Sequence, residues 1–245
     1  MFKEYILLLL LGHIIGDFYT QTAQIAEKKK NSLEWVLKHG LLYFVTIIVV
    51  SIPVITTDIL ILDVATALLH VMIDVIKFFY LKKKKKETSL VFITDQSLHL
   101  LCMIGIAYIW TKNNCQMQEI KMVSDFFNVT NISEMLVCRW VLGLLIIHKP
   151  ANILIQNLIG IYKPRTNDIE IKADNNAGRV IGSVERVIML ILIYMNQYSA
   201  IGLVLTAKSI ARYDRISKDE KFAEYYLLGT LISAGIVIGC AALIF

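Results

Sequence analysis

Long apolar runs separated by short polar or lysine-rich stretches divide this chain from end to end. Eight such runs can be drawn: Glu4–Tyr19, Leu33–Ile55, Ile59–Leu81, Leu90–Trp110, Met135–Ile161, Val180–Met195, Ala200–Ala211 and Tyr225–Phe245. Most are apolar on every side, not on one helical stripe, and most approach the ~20 residues that cross a bilayer as a helix. The run Ala200–Ala211 is too short to cross alone, and Pro150 inside Met135–Ile161 predicts a kink or an interfacial second half. The expected fold is therefore all-α, a polytopic transmembrane bundle of about seven or eight spans. Three regions follow: a four-helix half over 1–112, an extracytoplasmic loop over 113–133, and a second transmembrane half over 134–245.

Composition agrees. Of 245 residues 56% are hydrophobic, and the mean hydropathy is +0.61, above what a soluble domain carries. The four cysteines show no CxxC or zinc-ribbon spacing; three sit in apolar runs and read as buried thiols, while Cys115 and Cys138 flank a loop, which leaves a pairing between them open. The first apolar run has no small-residue cleavage site and does not read as a signal peptide.

The net charge of +5 matters less than its distribution. Lys28–Lys30 follow the first run and Lys82–Lys86 the third; Lys163, Arg165 and Lys172 follow the fifth; Arg212, Arg215, Lys218 and Lys221 follow the seventh. Positive loops stay on the cytoplasmic side, so these clusters predict an N-terminus outside and a multi-pass protein of the bacterial cytoplasmic membrane. The partner this implies is the lipid bilayer. Direct nucleic-acid binding is not expected, since no aromatic interleaving or basic domain accompanies the lysines. Oligomeric state is left open.

Against this apolar background the ionisable residues carry the chemistry. His13 and Asp17, His70 and Asp74, and Asp95 and His99 are each spaced by four, one helical turn on one face; His39 opens the second run. By the lysine topology all seven lie at one depth near the cytoplasmic end of four helices. Charged groups in a span turn inward and pair, so one shared cluster is expected. Four imidazoles and three carboxylates suit a divalent metal, zinc first, with manganese or iron as alternatives. Asp17, Asp74 and Asp95 are the candidate catalytic carboxylates, one acting as general base where it is not a ligand. The competing reading is that these groups only hydrogen-bond neighbouring helices.

A second set lies further along the chain. Arg179, Glu185 and Arg186 open the sixth run, and Lys208 and Arg212 close the seventh. They read either as a clamp for an anionic, phosphorylated substrate or as interfacial anchors in ion pairs.

HIIGDF at His13–Phe18 with Gln21, HVMID at His70–Asp74 and DQSLH at Asp95–His99 resemble the bacterial integral membrane family called domain of unknown function 3307. AGRVIGSVER at Ala177–Arg186 and AKSIAR at Ala207–Arg212 are similar to its second half. The resemblance implies a bacterial polytopic membrane protein and brings no activity. From the site alone the leading expectation is a metal-dependent hydrolase acting on a lipid or nucleotide phosphoester. The alternatives are a metal-ion or proton transporter using the same residues, and a non-enzymatic sensor. Few ionisable groups are expected above the cluster in the second to fourth runs, which favours a closed-ended pocket.

Overall fold

The computed structural model describes residues 2–84, 88–162 and 168–245, with backbone alone over 168–177. Of the basic residues used for orientation, Lys85, Lys86, Lys163 and Arg165 lie outside the described residues, as does the side chain of Lys172. Every element among the described residues is helical, as the apolar runs require. Contacts divide the chain into two compact units, Met1–Leu142 and Gly143–Phe245.

In the first unit α1 spans Phe2–Ile14 and passes into a π turn, Ile15–Thr20. The chain then bends by 90° into α2, Ala23–Lys29, whose first turn is capped by the Thr22 hydroxyl accepting from Ile25 N–H at 3.3 Å. The bend follows the first apolar run and sets α2, with its lysines, at 90° to it. Helices α3 (Leu33–Ser51), α4 (Thr57–Lys84) and α5 (Ser89–Lys112) complete the bundle. The segment expected as a polar loop contains a further helix, α6, Lys121–Thr130. Its Met122, Phe126 and Val129 form an exposed apolar face, a pattern that the polar residues around it conceal.

Helix α7, Glu134–Ile159, runs through Pro150 and carries the chain into the second unit. There α8 (Asp168–Tyr194) begins well before the expected Val180, and α9 (Tyr198–Ala211), α10 (Tyr213–Lys218) and α11 (Glu220–Ile244) follow. Asn196, at φ 57°, takes the left-handed conformation that ends α8 and turns the chain into α9. Among the described residues five helical segments are long and apolar enough to cross a membrane, or six if the bent first pair is one span. Two of the eight apolar runs, those in α8 and α9, fall outside this set; α9 has 14 residues, about 21 Å of helix against a ~30 Å hydrocarbon core, as the short run Ala200–Ala211 predicts.

The bundle exposes apolar side chains on its outside and encloses its ionisable and hydroxyl groups together with an apolar core. On α3 the exposed stripe is Leu37, Leu41, Val45 and Val49, while His39, Tyr43 and Ser51 are buried. On α4 Ile61, Leu68, Met72 and Ile76 face outward, while Asp63, Thr66, His70 and Asp74 are enclosed. A helix in water buries its apolar face; the reversal here is that of a membrane protein.

The interior is layered. Tyr5 of α1, Ser51 of α3, Asp63 of α4 and Trp110 of α5 occupy one end. One or two turns along each helix Leu9, Ile47, Ala67 and Met103 form a dry apolar layer. Beyond it stand His13, His39, His70 and His99, one from each helix.

Candidate metal centre

Two close helix approaches bring the four histidines together. A Cβ on Gly40 of α3 would overlap a methyl of Val71 of α4, so only glycine lets those helices pack at that point, beside His39 and His70. A Cβ on Gly16 would fall 2.7 Å from the Tyr43 ring. Tyr43 in turn stacks on His70 with ring centroids 3.7 Å apart and planes 5° from parallel. The π turn places Gly16 and Asp17 against α3, and Thr20 stabilises it by donating to the Gly16 carbonyl at 2.8 Å.

All seven expected residues lie in one cluster, and all are buried. The Nε2 atoms of His39 and His70 are 3.3 Å apart. Asp74 Oδ2 lies 3.5 Å from His70 Nε2 and 3.7 Å from His39 Nε2, and Asp17 Oδ1 lies 3.2 Å from His39 Nε2. A tetrahedral ion with ligand bonds of ~2.0–2.1 Å has ligand–ligand edges of about 3.3–3.4 Å. The His39–His70–Asp74 triangle is close to that size. Two triplets, Asp17–His39–His70 and His70–Asp74–His99, each offer ligand atoms within 4.8 Å of one another, and His70 is common to both.

His13 and Asp95 stand at the edge of these triplets. His13 Nε2 contacts Gln96 Oε1 at 3.4 Å, and its ring lies 5.2 Å from that of His99. Gln96 Nε2 donates to Asp17 Oδ2 at 2.9 Å and to Asp95 Oδ2 at 3.3 Å, so this amide joins three of the seven. Its place in the sequence, next to Asp95, was the available signal. Buried ring nitrogens remain without a hydrogen bond: Nδ1 of His13, His39 and His70, and Nε2 of His99, together with Asp95 Oδ1. Buried polar atoms are nearly always satisfied; for His39 and His70 the open nitrogen is Nδ1, not the Nε2 that faces the triangle.

Two lysines complete the site. Lys29 Nζ bonds Asp74 Oδ2 at 2.7 Å and Gln21 Oε1 at 3.0 Å. Lys77 Nζ bonds Asp95 Oδ2 at 2.9 Å. Read in sequence, Lys29 is one of three topology lysines and Lys77 is unremarked; only the 90° bend after α1 carries Lys29 back to Asp74. The two ammonium groups offset two of the three carboxylate charges, which leaves the cluster with one negative charge unbalanced when its histidines are neutral.

Residues 5–127 match one protein family, and the match spans half the chain. The chain belongs to the family described as Protein of unknown function (DUF3307). All seven cluster residues, Gln96 and both lysines fall inside the matched residues of the family. Ala177–Arg186 and Ala207–Arg212 lie beyond them. No curated protein and no solved structure matches the chain.

The second residue set is placed in the second unit and is engaged there. Glu185 Oε2 accepts from Lys208 Nζ at 2.6 Å. Arg186 is 1% exposed. It donates through Nε to the Ile147 carbonyl at 2.5 Å, through Nη1 to Ser233 at 3.2 Å, and through Nη2 to Asn152 at 2.7 Å and Ser183 at 3.2 Å. A Cβ on Gly182 would lie 3.3 Å from Nη1, so the glycine clears space for the guanidinium. Arg179 is exposed and Arg212 half-buried.

Proposed function

We propose that the protein is a membrane-embedded metal-dependent hydrolase, with its site at the cytoplasmic side and a lipid or nucleotide phosphoester as substrate. The observation that carries this reading is the His39–His70–Asp74 triangle, sized for a tetrahedral ion in a closed interior. Three protein ligands with one further position is the pattern of catalytic zinc, whose bound water ionises near neutral pH. Zinc suits this donor set best, with manganese or iron as alternatives. In this reading Asp17, bonded to His39, orients that histidine or accepts a proton from the water, and Asp95 acts through Gln96 and Lys77, which it contacts. Lys29 and Lys77 stand beside the carboxylates and suit the charge of a phosphate. Arg179 is the exposed member of the second set and Arg212 is half-buried, and Arg186 and Lys208 bind substrate only if they leave their present partners.

The lysine distribution supports a bacterial inner-membrane protein with its N-terminus outside. Lys28 and Lys29 of α2 and Lys82–Lys84 of α4 lie at the same end of the bundle as the histidine layer, as the Lys29–Asp74 pair requires.

The test is elemental analysis of protein purified in detergent, paired with hydrolysis of bis(p-nitrophenyl) phosphate before and after chelation. Stoichiometric metal, with activity lost on chelation and in His70→Ala, is expected. Metal-free protein that keeps full activity excludes the proposal.

A transporter for a metal ion or proton is the second reading. One observation favours it: Asp63, a buried carboxyl on the same α4 face as His70 and Asp74, corrects the expectation that little ionisable chemistry lies above the cluster.

A further inference from the structure

Asp63 is fully enclosed, and neither carboxyl oxygen has a hydrogen-bond partner. The same holds for the hydroxyls of Tyr5 and Ser51 and the indole N–H of Trp110, all at or below 1% exposure. These groups come from four helices and form one connected set. Tyr5 stacks on Trp110 with ring centroids 4.5 Å apart. The Ser51 hydroxyl lies beside the Asp63 carboxyl at the margin of hydrogen-bonding geometry, and Tyr5 is near enough to feel its charge. A carboxylate in a membrane interior without a counter-charge is costly to keep ionised, and unsatisfied polar groups gathered at one level point to an occupant.

We propose that Asp63, Ser51 and Tyr5 form a second ion site that takes a monovalent alkali cation, sodium in size, with its water. The charge decides the valence: one carboxylate in a dry surround balances one positive charge, and a divalent ion would leave an excess. The donor chemistry decides the class. All four ligating atoms are hard oxygens, two carboxyl and two hydroxyl, whereas the histidine layer offers imidazole nitrogens. Trp110 N–H is left to hydrogen-bond the ion's water. Among the described residues no lysine, arginine or histidine pairs with Asp63, so no internal cation fills this role. The site is distinct from the histidine layer, seven residues or about 10 Å along α4, with Leu9, Ile47, Ala67 and Met103 between them.

The experiment is thermal unfolding of the purified protein in detergent with EDTA present, in sodium, potassium or choline chloride at equal ionic strength. The EDTA removes the divalent centre from the readout, so failure here and failure of the hydrolase reading remain separate. The melting temperature is expected to rise with sodium by roughly 3–5 °C per tenfold concentration above saturation, and the isosteric Asp63→Asn removes the rise. Ser51→Ala shifts the sodium midpoint upward and serves where Asp63→Asn does not fold. Equal melting in the three salts overturns the site, as does a sodium effect that survives in Asp63→Asn. A protonated carboxyl infrared band assigned to Asp63 that sodium leaves unchanged also overturns it, because a proton then holds the place of the ion.

Discussion

Lys29 Nζ sits 2.7 Å from Asp74 Oδ2, on the same oxygen that closes the triangle with His39 and His70. An ammonium group and a metal ion cannot share that oxygen at full strength. Lys29→Gln is therefore expected to tighten metal binding by ~10-fold or more, the scale of one lost charged hydrogen bond. Calorimetric titration of zinc into chelator-stripped protein measures it. Unchanged or weaker affinity would show that Asp74 is not a ligand.

His70 belongs to both triplets and His13 to neither. His70→Ala is expected to abolish stoichiometric metal, while His13→Ala retains it with lowered affinity through the loosened Gln96 contact. Metal content of the two purified variants distinguishes them. Equal loss in both would mean that the ligand set is centred elsewhere.

Gly16 and Gly105 make a matched pair of probes. A Cβ on Gly16 meets the Tyr43 ring, whereas a Cβ on Gly105 meets nothing within 4 Å. Gly16→Ala should cost roughly 1–3 kcal/mol through displacement of Tyr43 and should weaken metal binding as the Tyr43–His70 stack shifts. Gly105→Ala should be neutral or slightly stabilising in the helix. Thermal melts of both variants in one detergent decide the comparison.

Arg186 tests the division of labour in the second unit. Its guanidinium satisfies Ile147, Asn152, Ser183 and Ser233 together. Arg186→Met should destabilise the protein by about 2–4 kcal/mol, since several buried polar groups lose their partner. Arg186→Lys should recover little, because an ammonium lacks the fork. A stable Arg186→Met protein with only a raised KM for phosphoester would assign the residue to substrate instead.

The histidine layer was legible in the sequence because its physics is local. A four-residue spacing puts His70 and Asp74 on one face whatever the tertiary fold, and an ionisable pair in an apolar run has few places to go but inward. The lysine clusters then matched the depths of four helices. Lys29 was not legible in this role, because its meaning depends on a 90° bend that no residue in Gln21–Ala23 announces. Asp63 was missed for the opposite reason: it has no ionisable neighbour three or four residues away to mark it, and only its burial at the level of Tyr5, Ser51 and Trp110 sets it apart from a membrane-end aspartate. The π turn at Ile15–Thr20 reads as ordinary helix, since its cause is the tight fit of Gly16 on Tyr43 across the bundle. Arg186 was visible as a conspicuous charge, but its partners Asn152 and Ser233 are distant in sequence and neutral.

The apolar layer of Leu9, Ile47, Ala67 and Met103 separates the Asp63 level from the histidine level. In a membrane, a charge that crossed the whole span would gain or lose ~2.3 kcal/mol for each 100 mV, and one that crossed this layer would take a share of it. Any charge exchanged between the Asp63 level and the histidine level would therefore register as an electrical signal, and its rate would follow the membrane potential of the cell.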